Sequence, residues 1–545
     1  MEKDRLQKGR IMKHLSKVLS AALVTALAVV LALALAPSAA LAANYTITIK
    51  EPNGNQASHE YEAYQVFTGT YNSTSKQLEG IAWGSGVDDG TALLNALKAD
   101  TTIGHYFTDA TDAPTAAADM ADMQSGSTDA EALAKVVAMH LSTTKYTTVV
   151  NNKDSDEITV DADGYYFVKD VTDSLSNGDT YSRFMLQVAG GDVEIEAKDT
   201  TTISYKHVKE TNDSKANTEE EAEGWRNVGD YDMGDMVPFQ LTGQVAADYG
   251  YYDSYYFAFE DTYDKDQLGE ATDVKVFVKG TQLTEAQLEA AGYKLIQNEG
   301  SFTVELKDLK QIKVDSNPLV HAGDFISVEY KAKLLTGANI GSAGNENASH
   351  ITFSNNPNNK DSRGKTPDQK VKVFTYQLVV NKVNEVQNPL KGADFTLYKL
   401  DKTNGQYKPV PTELDGVDLK TKSEDGATFT FKGLDEGVYK LEETTTPKGY
   451  NTISPIEFSI ISVADNNMKT LVSINGSTES ASTGKAEFLS DKDTGTVSTT
   501  IQNKSGSILP STGGMGTTVL YVGGAALVVV AVIGLAKRRA ARSDA

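Results

Sequence analysis

Two apolar runs frame a chain whose hydrophobic positions mostly alternate. The first spans 21–36 and the second 517–536. The second is about long enough to cross a bilayer as a helix. Between them, Tyr45-Thr46-Ile47-Thr48-Ile49-Lys50 places apolar residues two apart, the period of a half-buried strand. From 91 to 144 the period lengthens. There Leu93, Leu94, Ala96 and Leu97, then Ala130, Leu133, Val136, Val137 and Leu141, predict amphipathic helices in an alanine-rich stretch. Strands return at 164–168 and 192–196.

A second unit begins at Ile203. A polar loop at 213–224 precedes expected strands at 237–241, 255–259 and 274–278. One short helix is expected at 284–291, with Thr284 as N-cap and Gln287 completing a capping box. The unit closes with 351–357, and a Pro/Asn/Lys-rich stretch to Gln369 reads as a loop. From Val371 to about Lys504, alternating strands separated by turn signals suggest a β-sandwich. The chain therefore divides into an N-terminal segment at 1–42, an N-terminal domain at 43–198, a middle domain at 199–370, a C-terminal domain at 371–508 and a tail at 509–545.

Composition narrows the function. Roughly 470 residues between the two ends suit three domains of common size. A formal charge of −23 argues against nucleic acid as a partner and fits a soluble, self-repelling exterior. The chain has no cysteine, which removes disulfides, thiol catalysis and Cys-based metal sites. Its seven histidines show no zinc-protease spacing, so neither metal nor cofactor is expected. Twenty-five tyrosines among many Thr and Val favour strands.

The two ends carry addresses. Lys13, His14 and Lys17 precede the first apolar run, and Ala40-Leu41-Ala42 has the small-x-small form of a signal-peptidase site, with cleavage between Ala42 and Ala43. At the other end, Leu509-Pro510-Ser511-Thr512-Gly513 is followed by the second run and then by Lys537-Arg538-Arg539. Basic residues there hold that end on the cytoplasmic side. Motif, span and basic tail in this order resemble the cell-wall sorting signal of Gram-positive surface proteins. That resemblance implies a sortase that cuts between Thr512 and Gly513, leaving Thr512 as a covalent attachment point. The product would be secreted, anchored to peptidoglycan and displayed at the cell surface.

In the third unit, the segment from Tyr439 to Tyr450 reads YKLEETTTPKGY and resembles the E-box of collagen-adhesin B-type domains in Gram-positive pilins, with Thr446 in place of the usual Ala. The resemblance implies a reactive trio of Lys382 in the first strand, Glu443 in the box and Asn503 in the last strand. Alternation agrees: Lys382 shares a face with Val380, and Asn503 with Ile501. An apolar core raises a carboxyl pKa and lowers an amine pKa, so a buried Lys–Glu pair can exist uncharged. Neutral Lys382 could then attack the Asn503 carboxamide, polarised by protonated Glu443. Ammonia leaves and an isopeptide bond remains.

The middle unit is similar to the isopeptide-forming second domain of fimbrial backbone proteins. Lys206, Asp261 and Asn355 are the expected trio, with Lys209, Glu260 and Asn356 as alternates on the opposite faces. Each bond would tie the first and last strands of its domain and shield them from tension. By analogy with disulfides, closing a long loop in this way contributes about 4–5 kcal/mol.

Between the first two units, Asp192-Val193-Glu194-Ile195-Glu196-Ala197-Lys198 resembles the pilin motif, with Ala197 and Glu196 as departures. The resemblance implies that Lys198 joins Thr512 of the next subunit, a repeated contact that does not close and so makes a filament. The first domain shows no convincing Lys/acid/Asn trio, Lys50 being its one candidate member. The Asp491–Gly495 turn lacks the ligands of a calcium loop.

Pattern and resemblance together imply a mainly β chain of tandem immunoglobulin-like sandwiches, the N-terminal one carrying helical insertions. The expected function is a shaft subunit of a covalent pilus that supports adhesion, a sortase substrate and not an enzyme. Its expected partners are sortase, further copies of itself, tip or minor pilins, peptidoglycan and a host ligand. The alternative is a monomeric wall-anchored adhesin or minor pilin, which would make no use of Lys198.

Overall fold

The structure is a computed structural model. It describes residues 44–50, 60–121, 123–124, 127–152, 155–171, 179–196, 202–210 and 224–506. The protein is mainly β, with sheet bodies in tandem.

In the first body, the alternating strand Tyr45–Lys50 buries Ile47 and Ile49. It lies between Ser155–Val160, antiparallel, and Val193–Glu196, parallel. This sheet has eight strands in all. The alanine-rich stretch forms three helices, Gly90–Ala99, Ala113–Met120 and Thr128–Ala138. Asp89, Asp112 and Ser127 cap their N-termini, each side chain accepting from a first-turn N–H that would otherwise lack a partner. Leu93, Leu97, Leu133 and Val137 turn inward to a core with Phe67 and Phe107. The helices are thus insertions held by their own apolar stripe.

The middle body is a sandwich. One sheet runs Gly224–Arg226, Ser204–Glu210, Met236–Gln244, Phe325–Lys333, Thr272–Val278, Thr281–Gln282. The facing sheet runs Val228–Asp230, Gln369–Phe374, Asn345–Ser354, Phe257–Tyr263, Ser301–Leu306, Lys294–Asn298. Their inner faces enclose Phe239, Leu241, Phe257, Phe259, Val304, Val328, Ile351 and Phe353. The capping box forms as the sequence predicts: helix Glu285–Ala290 begins at Thr284, and Gln287 closes the reciprocal pair.

The third body is a second sandwich of two five-stranded sheets. Its first strand, Tyr376–Val383, runs parallel to its last, Thr496–Gln502, with Lys382 opposite Ile501. The facing sheet is centred on Gly437–Thr445, which carries the E-box. Parallel pairing of the terminal strands sends the chain in at one end of the body and out at the other. Among the described residues no helix is long and apolar enough to cross a membrane; the runs at 21–36 and 517–536 lie outside them.

Candidate functional site

In the third body, strand alternation turns Lys382 inward between Val380 and the hairpin that follows. Lys382 is 1 % exposed, Asn503 0 % and Glu443 8 %. The Lys382 Nζ donates to Asn503 Oδ1 at 2.6 Å and to the Ile501 carbonyl at 3.1 Å. Asn503 Nδ2 donates to Glu443 Oε1 at 2.8 Å, and the amine lies 3.8 Å from the same carboxylate oxygen. The other oxygen, Oε2, accepts from Ile453 N at 3.1 Å, which fixes the carboxyl against the amide. Thr446, where the E-box usually has Ala, reaches Glu443 Oε2 at 3.5 Å and the Thr452 hydroxyl at 2.6 Å. Burial lowers the Lys382 pKa to about 8, and the charge of Glu443 opposes the shift. The amine, amide and acid expected from the sequence are therefore in hydrogen-bond contact.

In the middle body the structure assembles a different set. Lys206 and Asp261 face each other across the sandwich and form a short ion pair with both side chains fully buried. Burial pushes the Lys206 amine down and the Asp261 carboxyl up; their mutual attraction opposes both shifts. The amide beside them belongs to Asn347. Its Nδ2 donates to Tyr330 Oη at 2.8 Å, and Tyr330 Oη donates to Asp261 Oδ2 at 3.0 Å and accepts from Lys206 Nζ at 3.2 Å. Asn347 and Tyr330 are the members that the sequence reading missed.

The expected amide, Asn355, lies elsewhere. Phe353 pairs with Phe257 and Ser349 with Asp261. Asn355 thus sits six residues beyond the acid's level, about 20 Å along the strand direction. Its Oδ1 accepts from Ser362 Oγ at 2.8 Å, and its carbonyl accepts from Tyr181 N of the first body at 2.7 Å. Asn347 and Asn355 have the same parity, so alternation alone does not separate them. Tyr330 continues an inward series with Ile326 and Val328 and reads in sequence as an ordinary core aromatic. The alternates fall outside the site: Lys209 is exposed, Glu260 binds the Thr352 hydroxyl at 2.5 Å, and Asn356 closes a turn onto Asn358 N.

Lys50 does not join a trio; it pairs with Glu194 at 2.6 Å on the surface. Ala42, Ala43, Lys198 and the motif Leu509, Pro510, Ser511, Thr512, Gly513 lie outside the described residues. Where the middle and third bodies meet, Glu210, Asp230 and Glu436 bring carboxylate oxygens within 4.8 Å of one another. Burial raises the Asp230 pKa, and Ser462 Oγ donates to its Oδ2 at 2.9 Å, so hydrogen bonding accounts for this group.

The tandem sandwiches have the fold of a Gram-positive backbone pilin. Residues 376–478 match the SpaA prealbumin-like fold domain. The chain is similar in structure to the T6 backbone pilin of serotype M6 Streptococcus pyogenes, at 16% identity and a TM-score of 0.52, over 86% of this chain and 100% of that one. It also resembles the full-length major pilin SpaD of Corynebacterium diphtheriae (17% identity, TM-score 0.43, 85% and 98% covered). The major pilin SpaA of the same organism gives 13% identity and a TM-score of 0.44, with 85% and 100% covered. No curated protein matches the chain.

Proposed function

We propose that the chain is the shaft subunit of a covalently polymerised surface pilus, strengthened by two internal amide bonds that it forms itself. The observation that carries this reading is the contact of Lys382, Asn503 and Glu443 in the core of a pilin-like sandwich. In that site the neutral amine attacks the Asn503 Cγ beside the Glu443 carboxyl. The Nζ–Cγ bond forms, the Cγ–Nδ2 bond breaks, and one proton passes from Nζ through Glu443 to the departing nitrogen, which leaves as ammonia. Fixed proximity replaces turnover. Lys206 and Asn347, with Asp261 as the acid, are the corresponding pair in the middle domain. Each reaction happens once, so the chain is a product of its own chemistry and a substrate of sortase rather than an enzyme.

Polymerisation would join Thr512 of one subunit to Lys198 of the next, with tip or minor pilins and peptidoglycan at the two ends of the fibre. The parallel arrangement of the terminal strands in the third domain suits a head-to-tail link, since the chain enters and leaves at opposite ends. The test is a denaturing gel of boiled, wall-digested cell extracts, blotted for this protein, with a Lys198→Ala strain alongside. A heat-stable ladder in the parent that collapses to monomer in the mutant is the expected result. A single wall-attached band in both strains would replace the shaft by a monomeric adhesin.

A further inference from the structure

The two sites differ in how the acid reaches the amide. In the third domain Glu443 accepts directly from Asn503 Nδ2. In the middle domain the acid is Asp261, one methylene shorter; the Tyr330 hydroxyl bridges its carboxyl and the amide nitrogen with well-formed hydrogen bonds, and the Asn347 amide also lies close enough to Asp261 to oppose the rise of its pKa. That hydroxyl makes one donated and two accepted hydrogen bonds, which use its full capacity. It touches the nucleophile, the acid and the leaving group together. Its ring is held by Phe239, stacked at 5.2 Å, and by Phe302, edge-on at 4.7 Å. Among the described residues, Asp261 Oδ1 and Asn347 Oδ1 are buried without a hydrogen-bond partner. An acid proton is the donor this pocket lacks.

We propose that Tyr330 is a catalytic proton relay between Asp261 and the departing nitrogen of Asn347 while Lys206 forms its amide. This rests on the reading of the middle domain as amide-forming. Attack by Lys206 Nζ makes the Nζ–Cγ bond and turns Asn347 Nδ2 from a planar amide nitrogen into a basic amine. Asp261 takes the proton released by Nζ. It passes its own proton to Tyr330 Oη as Tyr330 gives one to Nδ2, and the Cγ–Nδ2 bond then breaks to release ammonia. One proton has moved from Nζ to Nδ2, and Tyr330 and Asp261 are restored. Burial holds the phenol well above its usual pKa, so it serves as a neutral carrier.

The experiment follows crosslinking in freshly synthesised full chain, made without cells in mild detergent. Timed samples are denatured, digested and weighed for the Lys206–Asn347 and Lys382–Asn503 peptide pairs. Tyr330→Phe is expected to slow the first bond by about 100-fold and leave the second at the parent rate. Phe302→Leu, which disturbs the same ring but keeps the hydroxyl, is expected to form both. Heavy water should slow the Lys206 bond of the parent more than the Lys382 bond, because two protons move in the relay. A Tyr330→Phe rate within about threefold of the parent would overturn the relay. Equal slowing by Phe302→Leu, or equal isotope effects at the two sites, would do the same. A parent chain that forms Lys382–Asn503 but never Lys206–Asn347 would instead refute the amide-forming reading of the middle domain.

Discussion

A lysine amine in a dry core is costly while it carries its charge, and Lys382 shows the cost as a pKa lowered to about 8. Once bonded to Asn503 it is an amide and no longer titrates. This separates the two states by pH. In an Asn503→Ala chain the free amine stays buried, with a folded pKa below its unfolded value of 10.5. The unfolded chain then binds more protons between those values, so stability is lowest below pH 8 and rises toward pH 10.5. The slope is at most about 1.4 kcal/mol per pH unit. Urea melts of the variant across that window are expected to show the rise. A parent bonded at Lys382 should show no such slope, and an identical slope in the parent would mean that its Lys382 is still free.

At the scale of strands, side-chain parity was legible and position along the strand was not. Lys382, Glu443 and Asn503 come together because the E-box and the two terminal strands each carry their own marker, so three local signals agree. In the middle domain the signals at Lys206 and Asp261 lead to the buried pair, while the segment at Asn355 belongs to the other end of its strand. Deciding between Asn347 and Asn355 requires the register of Asn345–Ser354 against Phe257–Tyr263, a pairing between segments more than 80 residues apart. The three helices and the capped helix at Glu285–Ala290 were readable because caps and apolar stripes are local. The register leads to a direct contrast. Asn355→Ala should leave the intact mass of the chain lower by two ammonia molecules than the sequence requires, while Asn347→Ala should leave it lower by one. The reverse pattern would return the bond to Asn355.

At the scale of the molecule, the two proposed crosslinks would divide the chain unequally. In the third domain such a bond would join Lys382, near the end of the first strand, to Asn503, just past the last, so nearly all of the domain would be bypassed. In the middle domain the load would cross from Lys206 to Asn347 and would still run out along Ala348–Ser354 and back along Gln369–Phe374 before it reaches Tyr376. That returning stretch is held by paired strands, Asn345 with Val373 through Ser349 with Gln369, and by Arg363–Lys365. The first domain grips its bend through Tyr181 N on the Asn355 carbonyl and Arg183 Nη1 on Asn358 Oδ1 at 2.6 Å. A chain bonded in this way would therefore store slack. When a single chain is stretched by its ends, the middle domain should give one short step of roughly 28 residues, about 95 Å of contour, instead of unravelling. A step of well over 100 residues from that domain would mean that no bond closes it. In a long fibre such steps add, so a shaft built from covalently locked domains would lengthen under a sudden pull and shorten again as each stretch folds back.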